Sequence, residues 1–230
     1  MPKPPNCNFL LFSPFGYASL FTFFYPEVKE KLDSSRIFFM IKSMRTVTLV
    51  RHGETAYNRS KIITGQHNPS LNQTGREQAK ALSQHFNEKA ITFDYVYSSD
   101  LRRAYETALS AVEHQDFVAF QMSKLLREKT CGIYDGKRKA DLISAIELGK
   151  HRNTPEYKLP RGESFLCVVE RAKKFINEDL KSLDRNKKNI LIVSHAVTTR
   201  ALLVALGEMS VEEALNHRID NATPITLKIA

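Results

Sequence analysis

The sequence predicts an α/β domain, a three-layer αβα sandwich around a mostly parallel central sheet. Three observations favour this class. Short apolar segments of strand length alternate with longer segments of helical periodicity, one late segment is apolar throughout, and no internal repeat interrupts the alternation. This alternation is typical of parallel sheets covered by helices, and strands buried on both faces carry near-continuous apolar side chains.

The first half of the domain predicts two strands and two helices. In chain order, they lie at residues 46–50, 73–86, 94–99 and 101–114. The strands are rich in β-branched and aromatic residues. The first helix presents Ala79, Leu82 and Phe86 on one face. Asn72 and Asp100 precede the two helices and belong to the residue types that cap helices, so we expect each to act as a cap.

The second half predicts three more strands and three more helices. In chain order, they lie at residues 117–122, 139–149, 163–180, 189–194, 196–206 and 224–229. From Phe165 to Leu180 the apolar residues recur at helical spacing. The segment 189–194, NILIVS, is apolar without alternation, as a strand covered on both faces requires.

Size and charge limit the classes of function. The chain has 230 residues, 42% hydrophobic and 26% charged, which fits one domain or one domain plus a tail. Its formal net charge of +9 admits three partners: nucleic acid, an anionic membrane surface or a small anionic substrate. The lysines and arginines are scattered, with no dense basic block and interleaved aromatics. We therefore expect no nucleic-acid partner.

The cysteines predict reduced thiols. Cys7, Cys131 and Cys167 form no C-x-x-C pair, and their odd number argues against a disulfide framework. Free thiols are the usual state in a cytoplasmic protein, which is the location we expect. Without a C-x-x-C pair, the sequence also offers no cysteine–histidine zinc site.

The first forty residues differ from the rest in composition. Residues 9–24, FLLFSPFGYASLFTFF, are almost wholly apolar. This run of 16 residues falls short of the roughly 20 that a membrane-spanning helix needs. Pro14 and Gly16 also disfavour a straight helix. The run is therefore not predicted as a spanning helix.

Three interpretations of this N-terminal extension, residues 1–43, stay open. It is an upstream segment with the true start at Met40 or Met44, a membrane anchor, or extra core packed on the domain. The composition changes near Met44, where strand and helix patterns begin. We therefore place the folded domain at residues 44–230, and expect membrane association only if residues 9–24 act as an anchor.

Cations and histidines follow three of the predicted strands. RHGE follows the first strand, SSDLRR closes the second, and SH closes the strand at 189–194. In parallel α/β sheets, ligands bind outside the carboxyl ends of the strands. Guanidinium groups there suit oxyanions such as phosphate, and helix N-termini add N–H donors. These residues predict an anion site, but alone they leave His52 as either a reactive group or an ordinary loop histidine.

Five motifs then occur in a recognisable order. They are LVRHGET, SSDLRRAYETA, LREKTCGIYDGK, GES and VSH, each at a predicted strand end or helix start. In this order they resemble the histidine phosphatase superfamily, whose fold is phosphoglycerate mutase-like. The resemblance covers about residues 45–230 and implies phosphoryl transfer in a histidine phosphatase catalytic domain.

The resemblance implies five catalytic residues. His52 would attack phosphorus and form a phosphohistidine, because a neutral imidazole has a free lone pair near neutral pH. Arg51, Arg103 and His195 would surround the transferring group and offset its developing charge. Glu128 would protonate the leaving oxygen and later activate water. No metal or other cofactor is expected, because these side chains supply the positive charge.

The resemblance also implies four substrate-binding residues. Asn58 would add a neutral donor, and Thr64 and Gly65 match the loop that lines the substrate mouth. Ala196 stands where many family members have glycine after the histidine. Its backbone N–H can still approach phosphate, provided that its φ angle is negative.

The choice between two neighbouring arginines follows the family pattern. The family's L-x-R-A motif places its arginine directly before alanine. Arg103 precedes Ala104 here and is therefore selected over Arg102. We expect Arg102 on the surface or in a secondary contact.

The resemblance covers both mutases and phosphatases, and the cap length favours a phosphatase. Cofactor-dependent phosphoglycerate mutases carry a long cap insertion between the acid glutamate and the G-E-S region. The segment between Glu128 and Glu163 is too short for that cap, so water should reach the phosphohistidine. We expect a phosphomonoesterase for a small phosphorylated metabolite. The alternatives are a cofactor-dependent phosphoglycerate mutase, a membrane-tethered protein phosphatase and an idle binding module; a homodimer stays open.

Overall fold

The centre of the fold is a five-stranded sheet. The computed structural model describes residues 44–116, 119–140, 154–184 and 186–229. The strands are β1 (Arg45–Arg51), β2 (Tyr95–Ser99), β3 (Ala119–Ser123), β4 (Asn189–Ser194) and β5 (Pro224–Ile229). Their spatial order is β3-β2-β4-β1-β5, and β5 alone runs antiparallel to its neighbour in this sheet. The prediction of a mostly parallel sheet is confirmed.

Helices cover both faces of this sheet. In the described residues, they are α1 (Ala56–Arg59), α2 (Gln73–Glu88), α3 (Arg102–Ala111), α4 (Phe165–Phe175), α5 (Ala196–Ala205) and α6 (Val211–Asn216). A π-helical segment, Ile176–Leu180, continues α4, and 3-10 turns lie at Lys124–Leu126 and Gly132–Tyr134. The short helices α1 and α6 were not predicted. The helix predicted at 139–149 lies almost wholly outside the described residues.

Strand β4 shows why its sequence is apolar without alternation. Ile190 and Ile192 pack into a core with α4 and α5 on one face of the sheet. Leu191 and Val193 point the other way and pack with α2 and α3. All four are fully buried. Because successive side chains of a strand point to opposite faces, a strand between two helical layers needs apolar residues at every position, which confirms the three-layer prediction.

Of the two predicted helix caps, Asn72 is confirmed and Asp100 is wrong. The side chain of Asn72 accepts the N–H of Gly75 at the start of α2, and Ser164 caps α4. Asp100 does not cap α3, which begins after Leu101 without a side-chain cap. The Asp100 carboxylate instead accepts two hydrogen bonds from the guanidinium of Arg127, at 2.8 and 2.6 Å. Two parallel, charge-assisted hydrogen bonds hold it there in preference to a single backbone N–H.

The N-terminal extension lies outside the described residues. The three interpretations of it, and its boundary with the domain, therefore remain predictions, as does a homodimer. No helix in the described part of the chain is long and apolar enough to cross a membrane. Of the cysteines, Cys131 and Cys167 are free thiols, and Cys7 falls in the extension.

Candidate active site

The carboxyl ends of β1 and β4 bring two histidines together. Arg51 closes β1 and is paired in register with Ser194, which closes β4. The next residues, His52 and His195, therefore lie side by side, with ring centroids 5.1 Å apart and ring planes at 60°. Their exposed fractions are 3% and 0%. The sheet register thus explains the closeness of two residues that are far apart in the chain.

The hydrogen bonds of His52 fix the position of its proton. Its Nδ1 lies 2.7 Å from the carbonyl oxygen of Gly53. Because a carbonyl only accepts, Nδ1 carries the proton and the lone pair is on Nε2. The Nε of Arg103 donates to that lone pair at 3.1 Å. Burial, and then the charges of Arg103 and Arg51, hold the pKa of His52 well below its usual range, so the ring is neutral.

Arg103 is the innermost cation of the site and is fully buried. Besides its bond to His52, its guanidinium donates to the carbonyls of His67 at 2.7 Å and Gly65 at 3.0 Å. Burial lowers its pKa to about 10, which still leaves it charged at neutral pH. Arg102, by contrast, is exposed and pairs with a glutamate one turn along α3. The structure therefore places Arg103, and not Arg102, beside the histidine.

The second histidine has one bonded and one unbonded ring nitrogen. Nε2 of His195 lies 2.9 Å from Oγ of Ser99, the last residue of β2. Its Nδ1 is buried and has no hydrogen-bond partner among the described residues. Burial, and next the charge of Arg103, hold the pKa of His195 well below its usual range. His195 is therefore also neutral.

Glu128 lies half-buried at the rim of this cluster. One carboxylate oxygen accepts the N–H of Lys129 at 2.8 Å, and the other accepts that of Val197 at 3.4 Å. Val197 is in the first turn of α5, two residues after His195. The bond with Val197 therefore places Glu128 on the side of the cluster where α5 begins.

Long-range contacts anchor the segment that carries Glu128. The pair of bonds between Arg127 and Asp100 ties it to the end of β2. Arg171 of α4 donates to the carbonyls of Leu125 at 2.7 Å and Arg127 at 3.1 Å. Arg171 is itself held by both carboxylate oxygens of Glu163, at 2.8 and 3.0 Å. The glutamate of the GES motif is thus an anchor for the arginine that positions this segment.

Two predicted residues contact the cluster less directly. Arg51 is half-buried, donates to the carbonyl of Ile219 at 2.7 Å, and has a buried Nε with no partner among the described residues. The side-chain oxygen of Asn58 accepts from the backbone N–H and the hydroxyl of Thr55, as part of a capping box for α1. In the described structure, Asn58 thus acts as a capping residue, and its binding role remains a prediction.

The remaining predicted residues lie in a loop and at a helix start. Thr64 is half-buried and Gly65 is buried, and the carbonyl of Gly65 holds Arg103. Ala196 is the first residue of α5 and is not among the residues with positive φ. The backbone condition set for Ala196 is therefore met.

Gly65→Ala should destabilise the protein more than Gly207→Ala. Both glycines have positive φ, +48° and +81°. A Cβ at Gly65 would overlap the Asp135 carboxylate, which holds three donors, whereas nothing lies near Gly207. We expect the free energy of unfolding, measured with urea, to fall by roughly 3 kcal/mol in Gly65→Ala and by roughly 1 kcal/mol in Gly207→Ala. Equal losses would contradict the crowding argument.

Two hydroxyl groups were missed as site residues by sequence reasoning. Ser99 holds His195, as described above. Thr107 accepts the N–H of Gly53 at 3.0 Å and donates to the carbonyl of Arg103 at 2.7 Å, so it links the two sides of the cluster. Both lie within the SSDLRRAYETA motif, whose position at a strand end was the available signal.

Neither a metal site nor the surface cavity of the described residues offers a better candidate than the histidine cluster. In the described segments, no group of three or more histidine, cysteine, aspartate or glutamate side chains is arranged to hold a metal. A surface cavity of about 300 Å³ lies near Phe86, Phe93 and Gln115. These residues sit at the amino end of β2, away from the histidines. The clustered histidines and arginines therefore identify the candidate site better than the cavity does.

Comparison with known proteins gives consistent matches. The family model described as histidine phosphatase superfamily (branch 1) matches residues 47–230. A protein of Hydrogenobacter thermophilus named for phosphoserine phosphatase activity is 34% identical over 184 residues, 78% of this chain and 87% of that protein. A 2,3-bisphosphoglycerate-dependent phosphoglycerate mutase of Parvibaculum lavamentivorans is 27% identical over 188 residues, 80% of this chain and 90% of the mutase.

A solved structure matches over a similar extent. The mycobacterial glucosyl-3-phosphoglycerate phosphatase superposes with a TM-score of 0.71 at 26% identity, covering 80% of this chain and 90% of that one. The family model, the phosphatase-named relative and this structure together support a phosphoric monoester hydrolase.

Proposed function

The chain belongs to the histidine phosphatase superfamily, and from this premise we propose that it hydrolyses phosphomonoesters of a small metabolite through a phosphohistidine, without a metal. The observation that carries the proposal is the state of His52. Its proton is on Nδ1, held by Gly53, and the lone pair of its neutral ring faces Arg103. A buried, neutral and oriented imidazole is what nucleophilic attack requires.

The first step transfers the phosphoryl group to the protein. Nε2 of His52 forms a bond to phosphorus while the bond between phosphorus and the ester oxygen breaks. The carboxyl group of Glu128 gives its proton to the departing oxygen. Before this attack, Arg103 donates to phosphate oxygens instead of to Nε2, which frees the lone pair of His52. With Arg51 it offsets the charge that develops on the phosphoryl oxygens.

The second step returns the protein to its starting state. Water attacks phosphorus, and the carboxylate of Glu128 accepts a proton from that water. The bond between phosphorus and Nε2 breaks, and inorganic phosphate leaves. His52 is again neutral, with its proton still on Nδ1, and Glu128 is again protonated, so atoms and charges balance over the cycle.

Hydrolysis is proposed over mutase activity because the relative at 34% identity and the matched solved structure are both named as phosphatases. The segment between Glu128 and Glu163 is a second ground. Near its ends, the N–H of Thr130 donates to the Glu163 carboxylate at 3.1 Å, and the N–H of Glu163 donates to the carbonyl of Thr130 at 3.0 Å. The two ends of the segment are therefore held together, and the sequence between them is short. A short cap leaves water access to the phosphohistidine, and hydrolysis then competes with return of the group to substrate.

The full-length protein should hydrolyse p-nitrophenyl phosphate at the same rate with and without EDTA. Positive charge at the site comes from Arg51 and Arg103, so the proposed steps need no metal. Release of nitrophenolate is measured before and after dialysis against the chelator. Activity lost with EDTA and restored by a divalent cation would contradict the metal-free mechanism.

A screen of phosphorylated metabolites then addresses the substrate. It includes phosphoserine and glucosyl-3-phosphoglycerate, on which the matched phosphatases are named to act. It also includes 3-phosphoglycerate with 2,3-bisphosphoglycerate. Interconversion of phosphoglycerates faster than phosphate release would overturn hydrolysis in favour of the mutase alternative.

A further inference from the structure

Ser99, the last residue of strand β2, forms a hydrogen bond with the second histidine of the site. It is fully buried, as is His195. Strand β2 pairs with β4 up to Ser98 and Val193, so the next residue of each strand lies at the same edge. This places the Ser99 hydroxyl 2.9 Å from Nε2 of His195. The bond is therefore set by the sheet and not by a flexible loop.

The hydroxyl of Ser99 has one proton and needs one acceptor. Its oxygen already accepts the N–H of Leu101 at 3.3 Å. Among the described residues, Nε2 of His195 is then the one remaining hydrogen-bond partner that could accept the serine proton. If Nε2 carried the ring proton, the buried serine proton would have no acceptor, and a buried unsatisfied donor is destabilising. Donation by Ser99 to Nε2 satisfies both groups.

We infer that Ser99 is a positioning residue that donates to Nε2 of His195, keeps the ring proton on Nδ1 and so presents Nδ1–H to the transferring phosphoryl group. This inference rests on the proposed function. A second observation supports it. Among the ring and guanidinium nitrogens of His52, Arg103 and His195, Nδ1 of His195 is the one that is buried and has no hydrogen-bond partner among the described residues.

The two histidines are thereby set in opposite directions. His52 has its Nδ1–H bound to a carbonyl and offers the lone pair of Nε2. His195 has its Nε2 lone pair bound to a hydroxyl and offers Nδ1–H. The other tautomer of His195 would direct a lone pair at phosphate oxygens, which is repulsive. One neutral ring thus serves as nucleophile and the other as hydrogen-bond donor.

The test compares two adjacent serines in the full-length protein. Ser99→Ala removes the donor to His195. Ser98→Ala is the matched control, because Ser98 is equally buried on the same strand and donates only to the backbone carbonyl of Ser99 in the described contacts. We expect kcat to fall roughly 10- to 100-fold in Ser99→Ala with little change in KM. Ser99→Thr, which keeps the hydroxyl, should recover most of the loss.

Nitrogen-15 NMR of histidine-labelled protein reads the tautomer without any assay of activity. The His195 signals are assigned by their loss in His195→Gln. The wild type should show a protonated Nδ1 and an unprotonated Nε2, and Ser99→Ala should show a mixture. A protonated Nε2 in the wild type would overturn the inference, as would Ser99→Ala turnover equal to that of Ser98→Ala. If the wild type lacks phosphatase activity, the proposed function fails, whereas the NMR result still decides the tautomer.

Discussion

His52→Ala is expected to abolish turnover and the acid-labile phosphate label on the protein. The methyl group of alanine cannot form the bond to phosphorus, so the reaction loses its covalent route. Loss of a nucleophile lowers kcat by about 10⁴-fold or more in enzymes of comparable design. Turnover is measured as phosphate release, and the label is measured by rapid acid-free quenching after addition of ³²P-labelled substrate.

The control for this variant is His85→Ala. His85 is exposed on α2 and lies outside the motifs, so its loss should change neither rate nor label. Label retained in His52→Ala would place the nucleophile on another side chain. Loss of turnover with the label intact would assign His52 to the hydrolysis step alone. Unfolding curves of both variants separate chemistry from a folding defect.

The positions of the ionisable groups were predictable because they follow from the sheet. Apolar segments of strand length predict parallel strands, and parallel strands bring their carboxyl ends to one edge. That argument alone places Arg51, His52 and His195 together, and the structure agrees. The choice of Arg103 over Arg102 needed the family pattern, since both arginines lie in the first turn of α3 and local sequence does not show which of them faces the site.

The partners of uncharged and acidic side chains were not predictable from local sequence. Asp100 precedes a helix, where an aspartate is usually a cap, but its partner is Arg127, which folds against it from another part of the chain. Ser98 and Ser99 are identical neighbours, and only the sheet register decides which one faces His195. Long-range hydrogen bonds of this kind depend on the tertiary structure, which helix and strand propensities do not predict.

The anchoring of Glu128 has a consequence for its chemistry. Its segment is held by arginines 127 and 171, and its carboxylate accepts from backbone N–H groups of Lys129 and Val197. These contacts hold the Glu128 carboxyl group in one position, beside the start of α5. Its proposed task, proton donation to the leaving oxygen, matters most when that oxygen is a poor leaving group.

Glu128→Gln should therefore impair alkyl phosphate hydrolysis much more than aryl phosphate hydrolysis. Glutamine keeps the shape and an acceptor oxygen but cannot give up a proton. For alkyl phosphates, we expect kcat/KM to fall by about 10²- to 10⁴-fold, the usual contribution of a general acid. Nitrophenolate leaves without a proton, so phosphorylation of the protein by p-nitrophenyl phosphate should be much less affected.

The measurement is kcat/KM across a series of esters with graded leaving groups, because this constant reports the phosphoryl-transfer step and excludes later hydrolysis. The steepness of its dependence on the leaving group should increase in Glu128→Gln. Glu170→Gln is the control, since Glu170 is exposed on α4 and pairs with a neighbouring lysine. An equal loss of kcat/KM for all esters in Glu128→Gln would show that Glu128 binds or orients substrate instead of donating a proton. Only the loss of a proton donor has an effect that depends on how poor the leaving oxygen is.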